Sequence, residues 1–193
     1  MDDRIAAFVF RNRRFFSIAA FVLPMVLKFY LHGTTSLLLL IVGAIVAAVG
    51  IGFRVYSAGY LWGRHIVTEI ESDFLCTSGP FAYIRNPLYL GNFVVGIGLC
   101  ISLNEWYAYG IFLLEFVYLY SVIIPYEERF LEEKFGNAYA QYKARTGTFL
   151  PKRKGHQSGE RLLPNYRLGF ASEVSYIIIL VIAFAIFYFF FVK

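Results

Sequence analysis

Long apolar runs broken by short charged connections dominate the chain. Nearly continuous apolar stretches cover residues 15–31, 35–53, 88–103, 106–125 and 172–192. Each comes within a few residues of the roughly 20 that a helix needs to cross a bilayer core. The pattern therefore predicts five membrane-spanning helices. Between them, 54–75 mixes polar and apolar residues in the manner of an interfacial helix. In 126–145, Phe130, Leu131, Phe135, Tyr139 and Tyr142 recur near helical spacing, with a break expected at Gly136. The expected fold class is all-α: a polytopic transmembrane helical bundle of about five spans with cytoplasmic interfacial helices, forming a single integral membrane domain over 1–193. The two short connections, around 32–34 and 104–105, predict that consecutive spans pair as tight antiparallel hairpins.

Composition strengthens this reading. Hydrophobic residues make up 59% of the 193 positions and charged residues 16%, against about 45–50% apolar residues in an ordinary soluble domain. So much apolar surface calls for lipid as its solvent. All but Lys28 and Lys193 of the 18 Lys and Arg residues lie in 1–14, 54–87 and 126–171. The positive-inside rule then places the N-terminus and the two longer connections in the cytoplasm, and the C-terminus on the opposite side. A net charge of +5 reads as a topology signal and as contact with membrane lipids, with no nucleic acid among the expected partners. Cys76 and Cys100 have no metal-ligand spacing and suggest no disulfide framework. His65 and Glu69 are one helical turn apart but lack a third ligand, so no metal is expected. Lys28 lies about a turn from the outer end of its span and is expected to snorkel to the interface.

Two polar connections carry the chemistry. Asn86 suits an N-cap and Pro87 the first helical position, where its missing N–H costs nothing, so the third span should begin at Pro87. Its first-turn amides, with Arg85, would present positive potential to an anionic group; the alternative is a capped helix with a basic anchor. Gly79-Pro80 supplies a turn upstream, and Gly91 removes a side chain one turn after Pro87. Past the fourth span, Glu127 and Glu128 read either as first-turn acids of an interfacial helix or as acceptors for ribose hydroxyls or an ammonium group. Glu115 falls in mid-span, where a carboxylate is costly unless it pairs or faces a cavity; it marks an interhelical hydrogen bond or a substrate pathway. Gly91, Gly96 and Gly98 permit close helix packing or ligand approach.

The string Gly79-Pro80-Phe81…Ile84-Arg85-Asn86-Pro87-Leu88-Tyr89-Leu90-Gly91, followed by Glu127-Glu128…Leu131…Phe135-Gly136…Tyr139…Tyr142…Pro151, resembles the motif pair of the isoprenylcysteine carboxyl methyltransferase and phospholipid methyltransferase superfamily. The resemblance covers roughly residues 45–151. It implies methyl transfer from S-adenosylmethionine inside a membrane bundle, with the cofactor entering from the cytoplasm and a lipophilic methyl acceptor from the bilayer. By that resemblance Gly79, Tyr83, Arg85, Asn86, Pro87, Tyr89 and Gly91 shape the cofactor pocket, and Glu127 and Glu128 hold its polar groups. The chain departs from the pattern at Asn86, where many carboxyl methyltransferases have His, and at Thr148, where some have a basic residue. Arg145 is the nearest cationic substitute for a carboxylate acceptor. Arg145, Tyr89 and Glu115 are thus the candidates for acting on the acceptor. An isoprenylcysteine-like carboxylate, already ionised at neutral pH, is the expected acceptor class, and a phospholipid amine is the alternative. The rival readings are an NADPH-dependent membrane reductase, similar in its C-terminal half, and a non-enzymatic membrane scaffold.

Overall fold

The computed structural model describes residues 3–61, 74–153, 155–156 and 163–192, and these are helical wherever the sequence is apolar. Five long helices stand at the positions of the five runs: α1 (Asp3–Tyr30), α2 (Leu37–Tyr60), α3 (Pro87–Leu103), α4 (Trp106–Phe135) and, after the short α5 (Asn137–Arg145), α6 (Tyr166–Phe191). Among the described residues α2, α4 and α6 are long and apolar enough to cross a membrane; α3 is equally apolar but shorter, at 17 residues. The chain is an all-helical membrane bundle, as the apolar runs predict.

Local signals explain the boundaries. Ser36 caps α2 by accepting from the Leu39 amide, and Asn165 caps α6 by accepting from Leu168. Pro87 opens α3 as expected, but Asn86 does not cap it; its Nδ2 instead donates to the Thr148 carbonyl at 3.2 Å. At the break between α4 and α5, Gly136 takes φ +51°.

Other expectations are corrected. Residues 54–60 continue α2 and do not start an interfacial helix, and 62–73 of that prediction, with His65 and Glu69, lie outside the described residues. Likewise α4 runs unbroken through Pro125, so Glu127 and Glu128 sit deep in a 30-residue helix and not in a first turn. A helix of that length rises about 45 Å, more than a bilayer core, so its last turns stand clear of the hydrocarbon.

The hairpin pairing is also replaced. The extensive contacts run between α2 and α3, α2 and α6, and α1 and α4. Small residues decide this. A Cβ on Gly43 would lie 2.4 Å from the Gly98 carbonyl, and one on Gly98 would lie 2.5 Å from that of Gly43. Gly50 fits against Val95 and Gly91 in the same seam, and on the other side of α2 Gly169 of α6 sits against the Val55 carbonyl. Gly96 instead receives the Phe112 ring of α4. Replacing Gly98 with alanine should lower stability by about 1–3 kcal/mol through overpacking, measured as a drop in the thermal midpoint of the detergent-solubilised protein.

One end of the bundle is tied together by the Lys28 side chain. Lys28 does not snorkel: it is fully buried, and its Nζ donates to the Thr34 carbonyl (2.9 Å), the Leu103 carbonyl (2.7 Å) and Glu105 (2.8 Å). The carbonyls at the end of α3 carry negative partial charge and are within reach of the ammonium. Thr35 pairs with the end of α6, and Phe29 of α1 meets Phe190 of α6. The polar connections collect at the opposite end.

Candidate functional site

At that opposite end the motif loop and the segment after α5 lie side by side. Ile84 and Gly147 form a parallel bridge, with Arg85 N donating to Gly147 O at 2.8 Å and Gly147 N to Tyr83 O at 3.1 Å. The His156 amide donates to Ala82 O at 2.7 Å, so residues 146–153 and 155–156 run as a strap along the loop. Gly79 holds φ +58° and presses on the Tyr60 ring, where a Cβ would come within 2.4 Å. It therefore ties the loop to the end of α2.

Arg85 is the hub of this end. Its Nε donates to Glu128 at 2.8 Å, Nη1 to the carbonyls of Lys143 (3.1 Å) and Thr146 (2.6 Å), and Nη2 to the Thr148 hydroxyl at 2.8 Å. The guanidinium is thus spent on protein groups. Glu128 is shared with Lys143 at 2.8 Å, and the hydrogen bonds that the Lys143 ammonium donates to Glu128 and Glu132 raise its pKa above its ordinary value. Tyr142 donates to Phe81 O at 2.8 Å. Burial pushes the Tyr139 and Tyr142 phenols upward, so both remain neutral donors.

Beneath the loop lies a cavity of about 520 Å³, inside the range of roughly 300–1,000 Å³ typical of small-molecule sites. Its upper part is polar: Arg13, Arg85, Asn86, Tyr89, Glu127 and Glu128 line it. Tyr89 donates to Glu127, whose other oxygen has no protein partner among the described residues. Its lower part is an apolar arm between α1 and α6, walled by Phe21, Met25, Phe112, Phe116, Ile179 and Phe187. Glu115 lines the cavity and accepts from Ser17 of α1 at 2.9 Å, so it serves as an interhelical bond and faces the arm at once.

The candidate residues divide accordingly. Arg85, Asn86, Pro87, Tyr89, Glu115, Glu127 and Glu128 come together on this cavity. Gly79 and Tyr83 shape the loop away from it, and Tyr83 is exposed. Gly91 is buried against Arg54, and Arg145 is exposed and off the lining. Thr148, where the resemblance suggested a basic residue, instead accepts from Arg85 Nη2 at 2.8 Å.

Four lining residues were not singled out from sequence: Arg54, Glu173, Asn92 and Tyr120. Arg54 donates to Glu173 through Nε and Nη2, both at 2.9 Å, and through Nη1 to Asn92 at 2.6 Å. Asn92 donates to the Tyr120 hydroxyl at 2.7 Å. The available signal was complementary ionisable residues, Arg54 and Glu173, in or beside apolar runs.

The model of the family described as phospholipid methyltransferase matches residues 38–138, which takes in the motif loop and both glutamates. The chain belongs to this family. A Cupriavidus metallidurans protein named cobalt-zinc-cadmium resistance protein CzcN is 30% identical over 102 residues, 53% of the chain and 47% of that protein. The protein-S-isoprenylcysteine O-methyltransferase of Saccharomyces cerevisiae is 29% identical over 129 residues, 65% of the chain and 54% of its own length. A probable rice enzyme of the same name is 26% identical over 133 residues, 68% of each. The chain spans about half the length of the first two of these relatives. No solved structure matches it. Among the described residues no cluster of three or more His, Cys, Asp or Glu groups is placed to hold a metal ion.

Proposed function

We propose that the chain is an integral membrane methyltransferase that uses S-adenosylmethionine and modifies a lipophilic acceptor drawn from the bilayer. The observation that carries this reading is one cavity with two chemistries, a charged upper part beside the family motif and an apolar arm between α1 and α6. The upper part suits a cationic, hydroxyl-rich ligand. Glu127 has an oxygen to offer a ribose hydroxyl or an ammonium group, and the start of α3 has no side-chain cap to occupy its first-turn amides. Glu127, Tyr89 and the α3 N-terminus are the groups that would hold the cofactor. When bound, the cofactor supplies a methyl group already activated on a sulfonium.

The protein's own work is then alignment and exclusion of water. The Arg85 hub fixes the strap over the upper part, and Phe149 of the strap packs on Phe116 and Tyr120, 5.8 and 6.3 Å between ring centroids. That packing shields the junction with the apolar arm. Arg13 and Arg14 line the same cavity, and a carboxylate acceptor would meet cationic groups there. This favours an isoprenylcysteine-like acceptor with the upper part on the cytoplasmic side. A second reading, a lipid amine, is favoured by Glu115, a carboxylate in the wall of the arm.

The test is transfer of labelled methyl from S-adenosylmethionine by the purified protein, offered a prenylcysteine analogue and phosphatidylethanolamine separately. Label on the prenylcysteine is expected. Label on the amine alone would select the second reading, and no transfer to either, with tight NADPH binding, would replace both.

A further inference from the structure

Resting on that proposed function, we infer that Glu173 of α6 is a positioning residue for the cofactor site, acting through Arg54 and Asn92. Glu173 is 1% exposed and Arg54 12% at their side chains, and both lie on the cavity wall, so the pair is an ion pair buried in the bundle. Burying two charges there is expensive, and stability alone is a weak reason to keep them. The geometry supplies another reason. Arg54 Nη1 reaches across to α3, where it holds both the Leu88 carbonyl (3.1 Å) and Asn92 Oδ1 (2.6 Å). Asn92 Nδ2 then holds the Tyr120 hydroxyl of α4 at 2.7 Å. The Tyr120 ring lies 4.4 Å from that of Tyr89, whose hydroxyl donates to Glu127. One continuous series of contacts therefore leads from α6, through α2 and α3, to the carboxylate assigned to the cofactor.

Gly91 fits this role. A Cβ there would come 2.4 Å from Arg54 Cγ, so the motif glycine is a notch for the arginine stem and not a wall of the cofactor pocket. The Arg54 guanidinium also lies 4.8 Å over the Tyr176 ring of α6, which fixes its plane for the hydrogen bonds to Glu173. Without Glu173, Arg54 has no carboxylate to orient it and Asn92 loses its fixed donor. Tyr120 and Tyr89 are then free to shift against each other. Residues 38–138, matched by the family model, include every member of the series except Glu173.

The experiment uses the full chain in nanodiscs and the product analogue S-adenosylhomocysteine, which needs no acceptor and no turnover. Calorimetry would give its Kd for the wild type, Glu173→Gln, Glu173→Asp, Asn92→Leu and the Glu173→Gln/Asn92→Leu double variant, with thermal melting alongside. Glu173→Gln and Asn92→Leu are each expected to weaken binding about tenfold, the double variant to lose little more than either single, and Glu173→Asp to recover most of the affinity. Tyr120→Phe, which removes only a hydroxyl, covers the case in which the charge variants misfold, and is expected to weaken binding by about threefold with an unchanged melt. Wild-type affinity in Asn92→Leu and Tyr120→Phe, or additive losses in the double variant, would overturn the positioning role while leaving the proposed function intact. Absence of binding by the wild type would instead remove the proposed function and this inference with it.

Discussion

Arg85→Ala should lower the stability of the protein by about 3 kcal/mol, the low end of the cost of breaking a buried ion pair, because Lys143 stays on Glu128. Both partners are largely buried, with 11% and 14% side-chain exposure for Arg85 and Glu128. The loss extends past the pair, since the same guanidinium holds the Lys143 carbonyl of α5 and, in the strap, the Thr146 carbonyl and the Thr148 hydroxyl. The strap is therefore expected to detach before the helices melt. Trypsin provides the reading: cleavage at Lys152 or Arg153 should become rapid in Arg85→Ala at temperatures where α-helical circular dichroism is unchanged. A strap as resistant as in the wild type would show that the bridge at Ile84 and Gly147 suffices without Arg85.

Glu127→Gln should leave the fold intact, because the amide keeps the shape and can still accept from Tyr89. Its effect is on charge. A unit charge removed some 4 Å from a cationic centre, in surroundings of intermediate polarity, is worth up to about 4 kcal/mol before solvation offsets it. The expected loss in S-adenosylmethionine affinity is about 100-fold. S-adenosylhomocysteine lacks the sulfonium charge and should lose less than about tenfold. Titrating both ligands into both proteins checks this, and equal losses for the two would show that Glu127 serves a hydroxyl group and not a positive charge.

The helices and the motif loop were legible because both depend on local sequence. Apolar runs of fixed length give spans, and Pro87 and Gly136 punctuate helices wherever they stand. Partner choice was less legible. The hairpin expectation used only connection length, whereas pairing is decided by which glycines face each other, as Gly43 and Gly98 do across the α2–α3 seam. Arg54 and Glu173 are 119 positions apart, and the boundary drawn at residue 53 put Arg54 in an interfacial helix outside the span, so their meeting could not be read. Glu127 and Glu128 were found by motif, but their setting was not, because Pro125 reads as a helix stop and here lies within α4. Arg145 has the charge for a carboxylate partner, yet α5 turns it outward; the carbonyls of Lys143 and Thr146 and the Thr148 hydroxyl are the groups that meet Arg85.

The ammonium of Lys28 ties the turn after α1 to the end of α3, and the Phe29–Phe190 contact closes α1 on α6 at the same end. Farther along, the two helices are parted by the cavity. The cleft between them is thus shut at the Phe29–Phe190 end, so anything lying along it would have one terminus against Met25 and Phe187 and the other beside Arg13 and Glu173.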